Sequence, residues 1–214
     1  MNPRHRTTRY AATLGLLLAA SALTAPQATA SDTRASTGPV SGAVAKPLGK
    51  LGPLTGLVIE RLQVSDDVAA SKFGTDSPIE DPAREARVLD AVREQAEAAG
   101  VDADAAEAFF RDQITASKIV QRGLFDHWTA HPDEAPTTRP DLGPIRGKLD
   151  RLTTALLAEL KNTEQVRDKP VACGVQLALA GASGATVEHL DPLHRQALSA
   201  AVGSVCRPAG PTGR

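Results

Sequence analysis

The sequence predicts an all-α protein, a six-helix single-domain bundle, and three observations carry that reading. Only 3% of its 214 residues are aromatic, too few for an aromatic-rich β-sandwich of this length. Alanine-rich segments repeat apolar residues at helical spacing, and no stretch alternates apolar with polar residues as a half-buried strand would. Asp81-Pro82 and Asp191-Pro192 each place a capping side chain before a proline suited to the first helical position.

Taken in order, Leu54 to Phe73 reads as a first helix, and Asp81 caps a second that runs to Gly100. Asp102 caps a third that reaches Trp128. Between His131 and Pro144 the prolines at 132, 136, 140 and 144 forbid regular helix and predict an extended connection. A fourth helix follows from Pro144 to Thr163, a fifth from Pro170 to Ala180, and a last from Pro192 to near Cys206. The helical domain therefore spans 53–206, with a flexible tail at 207–214.

Ahead of the helices, residues 1–30 carry Arg4, Arg6 and Arg9, then an apolar run from Ala11 to Ala22, then Ala28-Thr29-Ala30. That is the layout of a secretory signal cleaved near Ala30, and the apolar run is too short to span a bilayer. The mature protein is expected to be secreted or periplasmic, with no membrane partner. Residues 31–52 are dominated by Ser, Thr, Gly, Pro and Ala and read as a flexible leader. The whole chain has 24 basic and 25 acidic residues, and losing the signal arginines makes it more acidic, so nothing points to a nucleic acid partner. Two cysteines, Cys173 and Cys206, form an even count in an exported chain and read as one disulfide closing the C-terminal hairpin; two unrelated buried thiols are the alternative.

The chemistry lies where polar residues interrupt apolar stripes. On the third helix Phe110, Ile114, Ser117, Gln121, Leu124 and Trp128 make one inward seam, with Ser117 and Gln121 in its middle. Buried polar groups need hydrogen bonds, so this pair implies either an internal network or a polar ligand. On the first helix Leu54, Val58, Arg61, Ser65, Val68 and Lys72 repeat the spacing, which puts two cations on an apolar face. They either snorkel to the rim or converge on an anion between them. Arg84 sits in the first turn of the second helix, where backbone N–H groups also favour an anion, and Arg146 follows the proline-rich connection.

These residues resemble a known family, the secreted, all-helical (γ-type) chorismate mutases of bacteria. The resemblance rests on Glu60-Arg61-Leu62, Val68-Ala69-Ala70-Ser71-Lys72-Phe73, and Pro78-Ile79-Glu80-Asp81 with Arg84. It continues through Phe110-Arg111-Asp112-Gln113-Ile114, Ser117, Phe125, His189-Leu190-Asp191, Arg195-Gln196-Ala197-Leu198 and Cys206, covering about residues 54–206. It implies conversion of chorismate to prephenate, on the route to aromatic amino acids, without cofactor or metal and in a homodimer. In that family arginines matching Arg61, Arg84 and Arg146 hold the two carboxylates of chorismate, Arg146 coming from the same subunit. The lysine matching Lys72 and the residue matching Gln121 contact the ether oxygen, so Lys72, Gln121 and Arg84 are the implied catalytic residues. Ser117 matches a carboxylate-binding hydroxyl residue, and Asp81 and Glu85 match acidic positions near the ring hydroxyl, although Asp81 is equally suited to capping. Secreted members carry glutamate at the Gln121 position, so this chain departs from them there and agrees with intracellular relatives.

Two other readings fit the same pattern: a non-catalytic secreted helical interaction protein, and a lyase that processes isochorismate on a similar bundle. His127 and His131 have helical metal-ligand spacing, but Pro132 ends the helix and no clear third ligand follows, so no metal site is expected. No nucleophile elbow or phosphate loop is present in the sequence.

Overall fold

Pro53 stands in the first turn of α1 (Gly52–Lys72), where its missing N–H costs nothing. The computed structural model describes residues 46–206, so the signal-like segment, its cleavage position, most of the leader and the tail lie outside the described residues. Residues 46–51, at the end of the stretch read as leader, pack as a turn: Leu51 is fully buried, and the Leu48 and Lys50 amides donate to Ser183 Oγ (2.8 Å) and Gln176 Oε1 (2.7 Å).

Six further α-helices follow: α2 (Pro82–Ala98), α3 (Ala103–Ala130), α4 (Leu142–Asn162), α5 (Glu164–Arg167), α6 (Pro170–Val187) and α7 (Pro192–Ala201). The aspartate caps behave as the sequence predicts. Asp81 accepts from the Arg84 amide at 3.0 Å, Asp102 from Ala105 at 2.7 Å, and Asp191 from His194 at 2.8 Å. Gly100 ends α2 at φ +66°, a left-handed conformation in which a Cβ would be strained.

The 28 residues of α3 span about 42 Å at 1.5 Å per residue and form the spine. Helices α1, α2 and α7 pack on it, and α4 and α6 pack on α1. The core between them holds Leu54, Val58, Ile59 and Leu62 of α1, Phe109 and Phe110 of α3, and Leu156 and Leu160 of α4. A smaller cluster of Val64, Ile145 and Leu152 joins α1 to the first half of α4. It matters for function because Ile145, with Val68 and Leu149 packed beside it, also walls the cavity described below.

The all-α class holds, with no strand among the described residues, but three details differ from the sequence reading. Among the described residues there are seven α-helices in place of six, because the four-residue α5 is too short for periodicity to reveal, as is a 3-10 turn at Pro132–Glu134. Helix α6 runs to Val187 and not to Ala180: it continues through Gly181, which has no close neighbour, to Gly184, where a Cβ would stand 2.7 Å from Ile59 Cδ1 of α1. Helix α7 stops at Ala201 and not near Cys206 because long-range partners take the following backbone groups. The Ser204 amide donates to Asp112 at 2.7 Å, and the Val205 carbonyl accepts from Arg167 Nε at 3.1 Å. Cys173 and Cys206 form the expected disulfide, with Cα atoms 5.6 Å apart.

Candidate active site

A cavity of about 320 Å³ opens between α1, α2, α3, the start of α4 and the loop before α2. All of the site residues expected from the sequence line it: Arg61, Lys72, Asp81, Arg84, Glu85, Ser117, Gln121 and Arg146. The helical spacing explains the convergence. Arg61, Ser65, Val68 and Lys72 lie on one face of α1 and line the cavity together, as Ile114, Ser117 and Gln121 do on α3.

Arg61 is the innermost cation. Its guanidinium lies over the Phe110 ring, 5.7 Å from the centroid, and its Nη1 is buried without a hydrogen-bond partner in the protein. Burial pushes its pKa down to about 10, while Asp150 pulls the other way, so it remains a cation at neutral pH. Lys72 donates from Nζ to the Pro78 carbonyl at 3.0 Å, which ties the loop after α1 back over the cavity. Its pKa is lowered by partial burial and then by the neighbouring Arg84, with Asp81 and Glu85 opposing. Among the described residues the Arg84 and Arg146 side chains make no hydrogen bond or ion pair, and both are exposed at the cavity rim.

Opposite Arg61 runs a polar chain. Ser65 Oγ donates to Ser117 Oγ at 2.9 Å, and Gln121 Nε2 donates to the same oxygen at 3.1 Å. The one Ser65 proton has a second acceptor in the Arg61 carbonyl, but at 3.4 Å that contact is the weaker. With Ser65 and Gln121 both directed at it, the Ser117 hydroxyl has its own proton left to give. Gln121 Oε1 is buried without a partner in the protein. The seam polarity that the sequence left open between internal network and ligand site is therefore both: an internal network with unspent capacity facing a cavity.

The acidic pair divides. Asp81 caps α2 through Oδ1, and its side chain also reaches the cavity wall. Glu85 is held by Lys118, whose Nζ lies 3.1 and 3.0 Å from its two oxygens. Lys118 went unrecognised in the sequence, as did the wall residues Ser77 and Val88. Lys118 sits beside Ser117 on the flank of the seam, so stripe position alone gave no signal.

Comparison with known proteins agrees with this geometry. The chorismate mutase type II family matches residues 54–122. A secreted chorismate mutase of Mycolicibacterium smegmatis is 37% identical over 165 residues, 77% of this chain and 91% of the relative. The chain belongs to the chorismate mutase family. A secreted chorismate mutase of Mycobacterium tuberculosis is 33% identical over 162 residues, covering 76% of this chain and 81% of the relative. The chorismate mutase of Burkholderia thailandensis superposes with a TM-score of 0.69 at 40% identity, covering 73% of this chain and 99% of that one. The family match takes in every substrate-site residue expected of this chain except Arg146, which lies beyond it on α4.

Proposed function

We propose that the cavity binds chorismate and that its cations and amide catalyse the rearrangement to prephenate. The rearrangement is a concerted pericyclic shift: the ether C–O bond breaks as a C–C bond forms, with no proton transfer and no covalent intermediate. The protein must hold a compact dianion in its reactive chair and stabilise negative charge growing on the ether oxygen. Arg61, Arg84 and Arg146 receive the carboxylates, and Ser117 adds its free hydroxyl proton. Lys72 and the amide of Gln121, which exchanges its long 3.3 Å contact with the Ser117 carbonyl for the ligand, approach the ether oxygen from opposite helices. Glu85, and Asp81 beside it, accept from the ring hydroxyl. The observation that carries this reading is the buried, unpartnered Arg61 Nη1 in a cavity that gathers every one of these residues.

The test follows chorismate absorbance with the purified protein across pH and identifies the product by its acid conversion to phenylpyruvate. An amide donates at any pH, so kcat/KM stays flat through neutrality. It then declines on the alkaline side, below the ordinary lysine range, as free-enzyme Lys72 loses its proton. Lys72→Ala loses about 10²–10³ in kcat, the usual loss for one preorganised donor, with the fold intact. A folded Lys72→Ala protein of normal activity, or a wild-type profile falling steeply between mildly acidic and neutral pH, defeats the assignment.

The relatives named as secreted, together with the signal-like first 30 residues, support an extracytoplasmic protein cleaved near Ala30. N-terminal sequencing of the exported form checks the position. The family resemblance also supports a homodimer, and the uncharged α6 offers an apolar surface for it: Val171 is 85% exposed and Val175 63%. Sedimentation of the wild type against Val175→Glu tests that pairing.

A further inference from the structure

A carboxylate in the wall of a dianion site is a liability, because it repels the substrate and competes for the cations meant to hold it. Glu85 is such a group: it lines the cavity with Lys72 and Arg84, and its charge is felt at Lys72. Lys118 counters it. Its side chain, 18% exposed, reaches from α3 to α2 and engages both Glu85 oxygens, at 3.1 and 3.0 Å. The same ammonium lies 3.0 Å from Glu80 Oε2, at the end of the loop over the cavity. Glu80 is held independently by Arg122, so its position does not depend on Lys118 alone. Glu85 has no second cation in hydrogen-bond contact among the described residues; its other contact is the Asp81 amide at 3.5 Å.

We propose that Lys118 is a positioning residue: it holds Glu85 against α3, where the carboxylate can accept from the substrate hydroxyl without quenching Lys72 and Arg84. The proposal rests on the chorismate-binding reading of the cavity and adds a residue to it. With Lys118 replaced by an uncharged side chain of similar length, the freed Glu85 is drawn to the cations of the site, of which Lys72 already feels its charge. Loss of Lys118 then acts chiefly on dianion binding, and the damage depends on the charge of Glu85.

Steady-state kinetics with chorismate on Lys118→Met, Lys118→Arg, Glu85→Gln and the Lys118→Met/Glu85→Gln double variant read this out, with circular dichroism and melting temperature as fold controls. Lys118→Met raises KM about tenfold or more, the scale of a lost hydrogen-bonded charge partner, with a smaller change in kcat. Lys118→Arg, able to hold both oxygens, stays near wild type. The double variant regains the activity of Glu85→Gln alone, a reversal that a purely structural role for Lys118 would not produce. Wild-type kinetics in Lys118→Met, or a double variant worse than both single variants, overturns the proposal. Unchanged activity in Glu85→Gln would instead show that Glu85 does not touch substrate; rescue of Lys118→Met by that substitution would still uphold Lys118 as the group that restrains it.

Discussion

Two arginines, half-buried Arg61 in the α1 wall of the cavity and buried Arg167 at the end of α5, treat their guanidinium donors in opposite ways. Arg167 is 7% exposed and spends its donors on backbone: Nε on the Val205 carbonyl at 3.1 Å and Nη1 on the Leu160 carbonyl at 2.8 Å. Burial lowers its pKa, against the pull of Asp168, Glu164 and Asp102. Arg61 also has its pKa lowered by burial, yet keeps Nη1 without a partner and turns toward a cavity. A buried guanidinium whose donors are consumed by carbonyls fastens chain to chain. One left with an unspent donor beside a cavity carries an unmet desolvation cost that a bound anion would relieve.

The comparison is tested most strongly at Arg61. On the proposed function Arg61→Met removes a donor to a substrate carboxylate and should lower kcat/KM by about 10²–10³. It also removes an incompletely paired buried charge, so thermal melting should show no loss of stability. A variant that melts early while still turning over chorismate would make Arg61 another structural staple and erase the distinction.

The C-terminal region should respond the other way. Replacing both cysteines by serine opens a cross-link between residues 33 apart, worth about 3–4 kcal/mol in the chain-entropy model. Among the residues lining the cavity none lies on α5, α6 or α7, so urea unfolding should shift while kcat and KM at 25 °C hold. Arg167→Met acts beside the same joint, since Val205 precedes Cys206. It leaves two carbonyls unpaired at about 1–3 kcal/mol each, again with kinetics unchanged. A kinetic effect from either change would mean that the clamp is coupled to the site.

What was legible in the sequence follows the same division. Arg61, Lys72, Ser117 and Gln121 could be found because each breaks an apolar stripe, and a broken stripe is visible at local spacing. Arg84 and Arg146 needed the family resemblance, since either alone reads as a surface residue. Lys118 and Arg167 were not legible: the partners that define them, Glu85 and Glu80 for one, Val205 and Leu160 for the other, lie on other elements. The end of α7 was missed for the same reason, because Asp112 of α3 takes the Ser204 amide that would have continued the regular pattern.

The smallest expected effect concerns His194, also invisible in the sequence, which joins α7 to α1. Its Nε2 lies 2.9 Å from Asp66 Oδ1 and its Nδ1 2.9 Å from Asp191 Oδ2, so both ring nitrogens donate when the ring is charged. The bond to Asp66 raises its pKa to about 9, against the opposing effect of burial, from 6.5 in the unfolded chain. The stabilisation is therefore fully present below pH 6.5 and is lost as pH rises through about 9. Melting temperature should fall across that window in the wild type and much less in His194→Asn. Asp66 follows Ser65, which lines the cavity, so His194 adds a source for the alkaline decline of kcat/KM beside Lys72 and, at the highest pH, Arg61 with its pKa of about 10. If the decline belongs to Lys72 it survives in His194→Asn unchanged; if it disappears there, loosening of α7 from α1 reaches the site, and the separation between catalytic wall and structural clamp fails at this contact.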